Sequence, residues 1–169
     1  MMDVLPQRYA FSHDYALFLH DTLVQIVKSG EENKIFHVQH TFASDEEREY
    51  FERTIKGDVW QWMIDHGHHG LLRELTYRQV CLALLADFCH FIYEALCCSK
   101  SGKLTVAYAV LRKPLKDNLF YFEWLLADRE SFLDAFLDGG PAELEARRTS
   151  DADNRMALIS AAMTRVEHG

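Results

Sequence analysis

A chain of 169 residues with 49% hydrophobic and 12% aromatic content has enough apolar side chain to bury one core, which excludes a disordered polypeptide. Its formal charge of −8, from 26 acidic against 18 basic residues, excludes a protein whose whole surface grips nucleic acid. The N-terminus MMDVLPQRYAFSHD lacks the basic start, apolar stretch and cleavage site of a leader, so a single cytoplasmic domain is the expectation.

The first predicted helix spans 8–29, where Phe11, Tyr15, Phe18, Thr22 and Ile26 mark an apolar stripe and Ser29-Gly30 ends the run. Residues 34–42, KIFHVQHTF, alternate briefly but have no second strand to pair with, and read as a loop. Ser44 and Glu47 form a capping box that opens a helix from 45 to about 65. Tyr50, Ile55, Val59, Trp62 and Met63 supply its buried side, and His66-Gly67-His68-His69-Gly70 stops it.

Residues 76–98, TYRQVCLALLADFCHFIYEALCC, are apolar on every side and predict the central helix of a bundle, opened by a second capping box at Thr76 and Gln79. Asp87, His90 and Glu94 interrupt it at i, i+3, i+7, which gathers their polar atoms on one stripe and breaks any membrane-spanning run. Cys81, Cys89, Cys97 and Cys98 lie on the same rod, cannot bridge within it, and read as reduced thiols packed as small apolar groups. After Ser99-Lys-Ser-Gly102 a long helical pattern covers 103–127, and Pro114 predicts a kink or break near 110–114. Asp128 caps a short helix through about Leu137, Gly139-Gly140-Pro141 breaks the chain, and two short helices follow at 142–149 and 152–167. The fold class is therefore all-α, a bundle of about five to seven helices around 76–98. The helical run at the very end is consistent with the leading part of a longer protein.

Arg112, Lys116 and Glu123 recur at i, i+4, i+11 on the next helix and form the natural partner face for Asp87, His90 and Glu94. Such a shared seam inside the bundle either locks two helices in register as a buried ion-pair network or orients His90 for general base work beside an anion-binding Arg112 or Lys116. From Ala95 to Lys116 no acidic residue occurs, while Lys100, Lys103, Arg112, Lys113 and Lys116 form a basic island. That island suits a phosphate backbone, an acidic partner, or the carboxylates of neighbouring helices. Asp65 and His68, like Asp87 and His90, show the carboxylate–histidine spacing of di-iron bundles. Gly67 and the helix end between the first pair argue for a polar connector, and neither a metal nor a cofactor is implied. Trp60, Trp62, Phe120, Tyr121, Phe122 and Trp124 are spaced as helix core, and the excess in Leu119–Leu126 predicts a homodimer that hides it.

The passage GKLTVAYAVLRKPLKDNLFYFEWLLADRESFLDAF resembles a segment of bacterial helical proteins similar to the HEPN superfamily, which occurs in abortive-infection and toxin systems. The resemblance implies a helical module that binds RNA or a protein partner in phage defence or a toxin–antitoxin setting. It also implies a ribonuclease arginine followed four to six residues later by histidine. Here Arg112 is followed by Asn118 where that histidine would stand, and an amide exchanges no proton near neutral pH. Arg8 and His13 fit the spacing but lie outside the resembling segment. The expectation is binding through Arg112, Lys113, Lys116, Asn118 and Glu123 rather than catalysis. The alternative is a metal- or histidine-dependent hydrolase using Asp87, His90 and Glu94.

Overall fold

A computed structural model describes residues 5–55, 57–148 and 152–168. They form an all-α bundle, with no strand among the described residues. The order is α1 (Gln7–Glu32), α2 (Asp45–Thr54), α3 (Val59–Asp65), α4 (His69–Lys100), α5 (Leu104–Arg112), α6 (Leu119–Ala127), α7 (Arg129–Asp134), α8 (Gly140–Arg148) and α9 (Ala152–His168). Helices α1, α3, α5, α6 and α7 all pack on α4, which is the central rod that the apolar run predicts.

Helix α4 begins well before the Thr76–Gln79 pattern. Thr76 is fully buried and its hydroxyl donates to the Leu72 carbonyl at 2.7 Å, so a residue type that often caps a helix here serves inside one. Although Asp87, His90 and Glu94 interrupt it, α4 is long and apolar enough, by length and composition, to cross a bilayer. In this fold its sides carry the five helices named above.

Two apolar clusters grow on the N-terminal half of α4. Phe120, Trp124, Leu125, Phe132, Leu133 and Ala135 pack against Tyr77, Val80, Cys81 and Leu84, and each large side chain so buried contributes about 1.5–3 kcal/mol. On another side, Trp62 and Met63 of α3 meet Leu72, backed by Phe51, Leu71 and Leu75.

The single helix expected over 45–65 is two helices. Ser44 accepts from the Glu47 amide at 3.1 Å as the predicted cap of α2, while Glu47 reaches one residue beyond the box pattern and accepts from the Ala43 amide at 2.6 Å. Gly57, at φ 90°, then turns the chain, and the Asp58 carboxylate opens α3 by accepting from the Gln61 amide at 3.0 Å.

Helix α1 runs past Gly30 to Glu32. Gly30 does not stop it but admits the Phe36 ring, since a Cβ there would meet Phe36 Cε2 at 2.6 Å. The apolar stripe of α1 faces solvent: Phe11 is 80% exposed, and Tyr15, Phe18 and Ile26 are more than half exposed. The opposite face meets α4, where buried His13 places Nε2 3.0 Å from the Leu96 carbonyl.

Pro114 distorts the helix without ending it. Residues Lys113–Asn118 widen into a π turn between α5 and α6, the Leu119 amide reaching back five residues to the Pro114 carbonyl. A second wide turn, Ala135–Gly139, precedes Gly140 at φ 67° and the start of α8. Helices α8 and α9 lie close to where the two predicted C-terminal helices stand.

Candidate functional site

The seam expected between α4 and α5 forms at its rim, not inside an apolar interior. Asp87 Oδ2 meets Lys113 Nζ at 2.6 Å, and both side chains are nearly half exposed. Lys113, the residue next to Arg112, makes this contact, and its ammonium also stands 4.4 Å over the Phe91 ring. His90, Glu94, Arg112 and Lys116 are exposed and make no hydrogen bond or ion pair among the described residues. The buried network that would orient His90 as a base is therefore not assembled. The reason is local sidedness: His90 and Glu94 lie on an exposed face of α4 and Arg112 on an exposed face of α5, while the π turn over Lys113–Asn118 alters the helical count only for residues within and after it.

The remaining predicted residues are dispersed over the bundle. Asn118 is 2% exposed and donates its amide to the Leu84 carbonyl at 3.3 Å, so it anchors the π turn to α4 and contacts no solvent-borne ligand. Glu123 turns to α9, where its Oε2 lies 2.6 Å from Arg155 Nη2. That oxygen is buried and lacks an aligned hydrogen bond. Burial pushes the Glu123 carboxyl above its ordinary range, and the Arg155 charge offsets only part of this. Asp65 accepts from the Gln61 side-chain amide at 2.8 Å while His68 stacks on Trp62, so the two do not converge. No cluster of three or more metal-ligating side chains occurs among the described residues. Cys89 is buried and Cys81 is partly so, burial raising both thiols above the ordinary range, and all four cysteines are free.

A charged seam does exist one helical stretch earlier, on residues that precede or open the apolar run. Arg73 reaches Glu130 at 2.6 Å and Asp134 at 2.8 Å on α7. Glu74 accepts from Arg129 and Arg78, which hold its carboxyl below the usual carboxylate range. Arg78 also donates to the Ile35 and His37 carbonyls, both at 2.7 Å, tying the 34–42 loop to α4. This network ties α4 to α7 and to the 34–42 loop, and its signal was the charge pattern Arg73-Glu74 and Arg78 at i, i+1, i+5.

Sequence patterning did not anticipate the cleft between the 38–42 loop, α2, α3 and α4. It is a half-open cavity of about 580 Å³ walled by Phe42, Phe51, Trp60 and Trp62, with His40 and Asp58 beside them. Trp62 is its fixed wall. The His66 and His68 rings lie nearly parallel to the indole at 4.5 and 4.9 Å, Phe51 meets it edge-on at 4.7 Å, and its Nε1 donates to Thr54 at 3.0 Å. The histidines of the connector thus hold an indole in place. Comparison of the chain with protein-family models, curated proteins and solved structures gives no match.

Proposed function

We propose that this chain is a HEPN-like recognition module without catalytic activity, which binds single-stranded RNA through the basic face of α5 and the π turn. A cytoplasmic bacterial defence or toxin–antitoxin setting follows from the sequence resemblance. The observation that carries the reading is the state of Arg112 and Lys116: both project into solvent with no carboxylate partner among the described residues, whereas the neighbouring Lys113 is already neutralised by Asp87. A basic island satisfied by its own protein would show paired side chains; two uncompensated cations on an otherwise acidic chain favour an external anion. The hydrolase alternative has less support, because Asp87 is engaged by Lys113 and His90 lacks an orienting bond.

The module also presents a face suited to a second copy. Phe11, Tyr15, Phe18, Leu19, Thr22 and Ile26 are exposed, and their spacing of 4, 3, 1, 3, 4 reads the same from either end. A twofold axis between Phe18 and Leu19 would superpose the stripe on itself in an antiparallel helix pair. The stripe offers on the order of 500 Å² of apolar surface per copy, most of the roughly 800 Å² per partner that a standard interface buries. This stripe supports self-association through α1 in preference to the 119–126 run, where Leu119 and Leu126 face outward but Phe120, Trp124 and Leu125 are buried.

Fluorescence anisotropy with a labelled single-stranded RNA at low salt tests the RNA reading. Arg112→Ala/Lys116→Ala is expected to weaken binding at least tenfold. Binding unchanged by that pair, or no binding by the wild type, would overturn it.

A further inference from the structure

We infer that the aromatic cleft is a binding site for a small organic cation of the quaternary ammonium class. The chemistry of its wall carries the assignment. Four aromatic residues, Phe42, Phe51, Trp60 and Trp62, line a cavity of about 580 Å³, large enough for a trimethylammonium group with its substituent. Aromatic rings attract a cation through the electron-rich face of the π system, and alkylated ammonium groups lose little hydration on entering such a wall. Asp58 adds a full negative charge: one oxygen caps α3 by accepting from the Gln61 amide, and the other takes no partner among the described residues. No Lys or Arg is among the described residues that line the cavity. An anion would be repelled by the Asp58 carboxylate, and a neutral apolar ligand would gain nothing from that charge. A cation satisfies both features.

The wall is also organised in advance of any ligand. Trp62, buried and stacked by the His66 and His68 rings, is tied to Thr54 and serves as the backing of the wall, Phe42 stands 5.2 Å from Phe51, and His40 meets Phe42 edge-on at 5.1 Å. Trp60, by contrast, is 38% exposed and outside both apolar clusters, so its ring is available to a ligand at little cost to the fold. This site is separate from the basic face of α5, and it carries the opposite charge preference.

The test compares choline with 3,3-dimethylbutan-1-ol, a neutral molecule of the same shape, by isothermal titration calorimetry on the full chain. Choline is expected to bind at least fivefold more tightly than the alcohol. Asp58→Asn keeps an oxygen for the α3 cap and removes the charge; it should weaken choline at least fivefold and leave the alcohol unaffected. Trp60→Ala should also weaken choline, while Trp60→Phe should retain most of the affinity, with circular dichroism confirming the wild-type helix content in each. Equal binding of the two molecules, binding of neither, or choline affinity unchanged in both Asp58→Asn and Trp60→Ala would overturn the inference.

Discussion

Lys113 and Asp87 join α4 to the π turn at the rim of the bundle, Nζ to Oδ2 at 2.6 Å, with the ammonium resting over the Phe91 ring. Because both side chains are nearly half exposed, solvent screens the pair and its contribution is about 0.2–1 kcal/mol. Lys113→Ala should therefore lower the urea-unfolding free energy by no more than about 1 kcal/mol. A larger loss would show that this contact organises the seam and not merely its edge.

Arg78 has more to hold. Its guanidinium is shared among Glu74 and the carbonyls of Ile35 and His37, so Arg78→Ala leaves two backbone acceptors and one carboxylate short of a donor. Loss of charged hydrogen bonds of this kind costs about 1.5–3 kcal/mol, and urea unfolding should rank Arg78→Ala above Lys113→Ala. Hydrogen exchange at residues 35–38 should accelerate in the same variant, and unchanged exchange there would contradict the anchoring role.

Acid titration separates two glutamates by sign. Arg129 and Arg78 depress the Glu74 carboxyl, so its stabilisation is present above the unfolded value near 4.3 and is lost as pH falls below it. Glu74→Gln should therefore flatten the acid limb of the stability curve while lowering stability at neutral pH. Burial raises the Glu123 carboxyl, so the folded state holds that proton longer and stability falls as pH rises from near 4.3 towards the raised value. Glu123→Gln should remove that decline. Chemical unfolding at successive pH values reads both, and parallel behaviour of the two variants would contradict the assignment.

The α1 stripe predicts a symmetric dimer. Sedimentation velocity should show twice the chain mass for the wild type and a monomer for Tyr15→Asp/Phe18→Asp, whose sites already face solvent and cost the monomer fold little. A wild-type monomer, or a dimer that survives the double change, would contradict it.

What the sequence disclosed follows the range of the interaction involved. The Ser44 cap of α2, the loop over 34–42 and the distortion at Pro114 depend on a few adjacent residues and were legible. The break at Gly57–Asp58 was equally local, yet the apolar periodicity running through Tyr50, Ile55, Val59 and Trp62 concealed it. The sidedness of α1 was not legible, because its aromatic stripe and its His13 face both present apolar or aromatic residues and only packing on α4 selects between them. The seam was misplaced for two reasons: His90, Glu94 and Arg112 lie on exposed faces of their helices and leave the contact with Asp87 to Lys113, and a helical count of 3.6 residues per turn fails across the π turn, beyond which Glu123 meets Arg155. The cleft assembles residues from 38 to 79, a separation no short motif expresses.

The most direct measurement of the recognition role is the salt dependence of RNA affinity for the wild type and Arg112→Ala/Lys116→Ala. Each phosphate neutralised on a single strand contributes about 0.7 to the slope of log K against log salt concentration, so the double variant should be shallower by about 1.4. Identical slopes in the two proteins would show that Arg112 and Lys116 meet no phosphate.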